Sequence, residues 1–461
     1  MKNMLVKRRE ALLAGLFGAE FIGLRALATG LPAWFIANPG RANAQSLQCA
    51  IEAKQNMQYL ILSASSQGDP LNCNTPGTYE APEIIHPLQP TMAPSMVTLG
   101  GKVYGAALPW VGTDVGGALS PATLSRIGFF HYSTRSTVHG DQPKVMKLLG
   151  QTSRSEMLVS AYAKHLSTCF GTVQAEPVAV GARGNSSELV SFAGRTLPSI
   201  SPTQLKQLLT GTRNNPLLTL RTVRDASLAK LSELAKTSGS PVQKRFLDTL
   251  ATSRTQVRQL ADALATTLNA ITSDDARGQA LAAAALISAN VTPVVTMHIN
   301  FGGDNHTDTD LTAEATQTVS GVQGIQALMD ALAGLGLSDK VTFATMNVFG
   351  RNLNGIAKTE GRTGRDHYGN HAVSVMIGKN IAPGVTGGVL KGSGGAYSAA
   401  DIDSATGLPM AGGDIPVAKS NVALARTLGV ALGIPTAILD TDLATTAGGK
   451  VVNTALAGVT G

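Results

Sequence analysis

Short unbroken apolar runs alternate along this chain with longer stretches whose apolar positions recur every three or four residues. "MQYLILSAS" (57–65), "TPVVTMHI" (292–299), "KVTFATMNVF" (340–349) and "AVSVMIG" (372–378) are short and rich in branched residues, and they lack polar alternation. That is the pattern of strands covered on both faces. A further strand, "GFFHY" (128–132), runs into a polar loop and a helix. "SEMLVSAYAKHLSTCF" (155–170), "DDARGQALAAAALISAN" (274–290), "GVQGIQALMDALAGLG" (321–336) and "VAKSNVALARTLGVALGIP" (417–435) have helical spacing. Helices and strands in alternation predict an α/β chain with a mostly parallel central sheet and helices on both faces. Between about 201 and 272 the pattern is helical alone, which predicts an insertion packed on that core. No internal repeat is evident.

The first residues follow a different rule. "VKRREALLAGLFGAEF" places Arg8 and Arg9 before an apolar run, and "ANA" at 42–44 offers small residues for cleavage. This resembles a twin-arginine export signal over 1–44, with a mature chain from 45 to 461 in the periplasm or outside the cell. The expected partner is the twin-arginine export machinery. Glu20, Arg25 and Pro32 interrupt the run, whereas a bilayer span needs roughly 20 mostly apolar residues, so no stable span is expected in the mature chain.

With 461 residues, 43% of them hydrophobic and 15% charged, the chain can bury one large core or two ordinary ones. Of its formal charge of +7, the signal segment supplies +4, and no clustered basic run remains to suit a nucleic acid. Three cysteines and an oxidising destination permit a disulfide. Cys49 with Cys73 is the plausible pair, although sequence leaves the pairing open.

Chemistry concentrates beyond the strand ends. Two of only eight histidines, His367 and His371, fall in "GRTGRDHYGNH" (361–371). Asp69 follows the first strand, Asp304 and His306 follow "VVTMHI", and Asp366 and His367 follow "VTFATMNVF". Open α/β sheets place their sites beyond the carboxyl ends of strands, so these positions are expected to share one rim. Mixed carboxylate and imidazole suits zinc or manganese, with calcium an option if carboxylates dominate. Arg351 and Arg365 would add bidentate contacts to an anion. His165 lies on a helix, where a packed or surface role suits it better.

These motifs carry a resemblance to domain-of-unknown-function family 1501, an exported family near the alkaline phosphatase and sulfatase superfamily. Its "GG-x-DGLN", "GGWDTH", "EFGRT" and "GRDH" are similar to "SSQGDPLN" (65–72), "FGGDNH" (301–306), "VFGRN" (348–352) and "GRDHY" (364–368) here. The middle histidine of the family is echoed in "VHGDQ" (138–142), which would make His139 a site residue. The resemblance implies an alkaline phosphatase-like site with up to two divalent metals. Asp69, Asp366 and His367 would serve one, and Asp304 with His306 would serve the other. It also implies hydrolysis of a phosphate or sulfate ester, carried by a small molecule or a polymer. The alternative is an exported protein that keeps the fold for binding or structure. Departures are plain: Val348 stands where the family has Glu, Asn352 where it has Thr, and the first motif lacks its glycine pair. His371 matches no usual family histidine, and a third-ligand role and a hydrogen-bonded loop role both stay open. Cys73 lacks the Cys-x-Pro-x-Arg context of a modified sulfatase nucleophile. Thr75, Ser136, Thr137 and a metal-activated water remain as candidates.

Overall fold

The structure is a computed structural model that describes residues 56–181, 190–210, scattered positions between 226 and 240, 264–354, 363–443 and 450–459. The expected export signal, Cys49, Arg362 and most of the 201–272 insertion lie outside the described residues. At the edges of that insertion, helices occupy Pro202–Thr210 and Ala265–Asn269.

Eight strands form the central sheet. In chain order they are β1 (Tyr59–Ser65), β2 (Ile127–Tyr132), β3 (Val178–Val180), β4 (Ser199–Ile200), β5 (Val294–Met297), β6 (Val341–Asn347), β7 (Ala372–Ile377) and β8 (Gly384–Thr386). They lie side by side in the order β8-β2-β7-β6-β1-β5-β3-β4. Strand β1 pairs in parallel with β6 and β5, as do β5 with β3, β3 with β4, and β8 with β2. Only β7 runs against its neighbours β6 and β2. The sheet is therefore mainly parallel, as the apolar runs predict.

Alternate residues of each strand point to opposite faces, and two separate cores result. Ile61 and Phe343 pack with Leu281, Val322 and Leu328 from helices α2 (Ala276–Ser288) and α3 (Thr312–Gly334). Leu60, Leu62 and Met346 pack on the other face with Tyr162, Leu166 and Leu428. Those come from α1 (Leu158–Phe170) and α4 (Ser420–Ala431). Every residue of β1, β6 and β7 is buried, which explains why these strands show no polar alternation.

Two expectations need correction. Helix α3 begins at Thr312, not at Gly321, because its polar first turns carry the buried Glu314 and Thr318 inward. The Cys49–Cys73 pairing also fails. Cys73 is a free, buried thiol, whereas Cys169 is in a disulfide. Cys73 sits on the short helical turn Leu71–Asn74, packed with Ile84 and Leu353.

Candidate metal centre

Strands β5, β1 and β6 are adjacent and parallel, so their carboxyl ends open on one rim. From β1 the chain leaves through Ser66 to Asp69, from β5 through His298 to His306, and from β6 through Phe349 to Arg351. His139 follows β2, which points the same way. His367 precedes the reversed β7 and thus reaches the same rim from the other direction. A short antiparallel ladder, Gly350–Tyr368 and Arg351–His367, joins the last two loops.

His139, Asp304 and His367 place one ligand atom each within 4.8 Å of one another. His139 Nε2 lies 3.3 Å from Asp304 Oδ2, and His367 Nε2 lies 3.5 Å from Asp304 Oδ1. Bonds of about 2.0–2.1 Å to a tetrahedral ion would set ligand atoms about 3.3 Å apart.

Proton positions sharpen the fit. His139 Nδ1 is 2.6 Å from the Ser66 carbonyl, and His367 Nδ1 is 2.7 Å from the Thr137 carbonyl. A carbonyl only accepts, so each Nδ1 donates, and in the neutral ring that leaves the Nε2 lone pair, which faces Asp304, for a cation. Backbone anchoring of the far nitrogen is how metal-binding imidazoles are oriented. Electron-rich atoms that converge in this way call for a cation among them. The residues present therefore fit a divalent ion.

His306 and Asp366 border this set. His306 Nε2 lies 2.7 Å from His367 Nε2 and 3.3 Å from Asp304 Oδ1, and its Nδ1 is 3.6 Å from Asp366 Oδ1. His306 is thus placed to add a fourth ligand, the third nitrogen. Asp366 reaches the far side of that ring rather than the centre.

Electrostatics favour an ionised Asp304 and a neutral His367. Burial pushes the Asp304 carboxyl up, but the hydrogen bond and charge of Arg351, with His306 and His139, outweigh it and leave the group below the usual range. His367 is lowered, first by burial and then by Arg351, His139 and His306, against the opposing bond to Thr137. Phe349 supports both rings, stacked on His367 at 4.2 Å and edge-on to His139 at 5.0 Å between centroids.

Other expected site residues lie elsewhere. Asp69 is buried, and its Oδ1 accepts from the backbone N–H groups of Phe301 and Gly303, while His298 Nε2 stands 3.9 Å from Oδ2. Gly302, at φ 133°, permits that turn, since a Cβ there would sit 2.5 Å from Pro70 Cγ. His371 is not near an ion position: it is fully buried, with its ring nitrogens against His131 and Asn72.

Both arginines are engaged by groups of the protein itself. Arg351 is buried and donates to the carbonyls of Gly68, Gln67 and Gly303 and to Asp304 Oδ1 at 2.8 Å. Arg365 is buried against Glu314, with Nε to Oε2 at 2.7 Å and Nη2 to Oε1 at 3.1 Å. Their forks donate to loop carbonyls and carboxylates, so each clamps the rim. Ser136 Oγ donates to Asp141, Thr137 offers its carbonyl to His367, and Thr75 is buried.

Sequence reasoning missed Glu314, Asn72, His131 and Phe349. Glu314 carried a signal, because a carboxylate on an inward helix face needs a buried partner.

These features define an α/β protein with a His/Asp/His ligand cluster at the carboxyl rim of a mainly parallel sheet. The family model described as "Protein of unknown function (DUF1501)" matches residues 139–406, more than half of the chain, and the chain belongs to that family. No curated protein matches it. Among the described residues no helix is long and apolar enough to cross a membrane.

Proposed function

We propose that this chain is an exported, divalent-metal-dependent hydrolase of a phosphate or sulfate ester, built on a fold related to alkaline phosphatases and sulfatases. The twin-arginine leader supports export to the periplasm or beyond. The single observation that carries the reading is the convergence of His139, Asp304 and His367, with both imidazoles anchored through Nδ1. A divalent ion held there would supply Lewis acidity toward an ester oxygen. His139 and His367 keep their lone pairs directed, Arg351 holds Asp304 ionised, and Phe349 fixes both rings. Zinc and manganese suit this donor set.

A second reading, a metal-binding protein without turnover, is favoured by a specific observation. Both arginines are consumed by the fold, and Val348, where the family has Glu, is fully buried. The cleft beside Asp304, of about 470 Å³, has no lysine or arginine among its lining residues. The test that separates the readings uses mature protein loaded with zinc or manganese and a panel of phosphate and sulfate monoesters. Turnover that disappears in Asp304→Asn supports the hydrolase. Stoichiometric metal with no turnover of any ester supports the second reading.

A further inference from the structure

Away from the ligand cluster, a second set of imidazoles has a fixed proton order. His131 Nε2 lies 3.0 Å from the Pro76 carbonyl, so it donates there and its Nδ1 accepts. His371 Nε2 is 2.9 Å from that Nδ1 and must donate to it. His371 Nδ1 is then left to accept from Asn72 Nδ2 at 3.2 Å. The Asn72 amide is oriented independently. Its Nδ2 donates to the Arg351 carbonyl at 2.8 Å, and its Oδ1 accepts the Arg351 N–H at 2.9 Å.

What this sequence of bonds holds is the backbone of residue 351. On its other side that backbone pairs with His367 in the two-residue ladder, and its guanidinium donates to Asp304. We infer that the hydrogen-bonded series Pro76–His131–His371–Asn72 is a positioning device that sets residue 351, and through it Asp304 and His367, for metal binding. This rests on the metal reading above.

Three further observations support it. His131, His371 and Asn72 are all at most 1% exposed, where an imidazole without a partner would be costly. Burial lowers His131 to about 4, against the Pro76 bond, and lowers His371 well below its usual value, aided by His131. Both rings stay neutral, as the proton order requires. The backbone at residue 350 is built to the same fit: a Cβ on Gly350 would lie 2.1 Å from the His371 carbonyl oxygen and 2.7 Å from Asn72 Cγ.

The test compares zinc affinity, by calorimetry on the mature chain, in wild type, His371→Gln and His371→Phe. Gln keeps one acceptor for Asn72 and one donor for His131, whereas Phe keeps the ring volume and neither polar function. Positioning predicts zinc binding about tenfold weaker in His371→Phe, in line with the loss of outer contacts to metal ligands, and near wild type in His371→Gln. A packing role predicts the opposite order. His371→Phe binding as tightly as wild type, or His371→Gln binding more weakly than His371→Phe, overturns the inference alone. If His371→Phe does not fold, His131→Gln against His131→Leu makes the same comparison. Wild-type protein that takes up no zinc overturns the metal reading, and this inference with it.

Discussion

Glu314 and Arg365 meet with no exposure on either side chain. Four donated hydrogen bonds converge on that carboxylate. Two come from Arg365, at 2.7 and 3.1 Å, one from Asn74 at 2.9 Å, and one from Asn305 at 2.8 Å. Glu314→Gln would leave the guanidinium without a buried counter-charge and turn an N–H₂ group toward other donors. Breaking such a pair costs about 3–5 kcal/mol, a large share of the roughly 5–15 kcal/mol that stabilises a typical domain. Equilibrium urea unfolding followed by circular dichroism reads that loss at pH 7. The double variant Glu314→Leu/Arg365→Met removes both charges and should be less destabilised than the sum of its singles, by about 2 kcal/mol or more. Recovery stays partial because Asn74 and Asn305 lose their acceptor. A loss below about 1 kcal/mol for Glu314→Gln, or strict additivity in the double variant, would refute the reasoning.

Asp304→Asn should weaken zinc or manganese binding by at least about tenfold, with little change in the unfolding midpoint, since the residue is 39% exposed; unchanged metal affinity in calorimetry counts against the cluster. The folded-state value of His131 lies at about 4, below the roughly 6.5 of an unfolded histidine, so the unfolded chain holds the extra proton between those values. Stability is therefore complete above pH about 6.5 and falls toward pH about 4 by on the order of 1 kcal/mol per unit. His131→Gln should flatten that slope, and a slope that does not change removes the assignment. Burial pushes the Cys73 thiol up to about 12, despite the opposing charges of Arg365 and Arg351. It should resist a maleimide in native protein and react on denaturation, and rapid native labelling would contradict its burial.

Much of the architecture was legible because buried strands are continuous apolar runs. Strands β1, β5, β6 and β7 each fall within a run that the pattern marks. The short β3, β4 and β8, of two or three residues, were not, since so few positions carry no periodicity. For the site, topology gave the shared rim, and the motifs gave Asp304, His367 and His139. What topology cannot give is the direction in which a polar side chain turns. Asp69 and Asp304 follow neighbouring strands, yet Asp69 turns inward to cap the loop at Phe301 and Gly303. Arg351 and Arg365 look like anion ligands in a linear reading because their acceptors are backbone carbonyls and a glutamate tens of residues away. His371, four residues beyond His367, crosses to the buried side of the ladder, where only the fold brings it to His131.

The most direct measurement is an anomalous difference map from crystals of residues 45–461 grown with zinc. A single strong peak is expected about 2.0–2.2 Å from His139 Nε2, an Asp304 carboxylate oxygen and His367 Nε2. A map with no peak there at saturating zinc, or with the ion held elsewhere, contradicts the account.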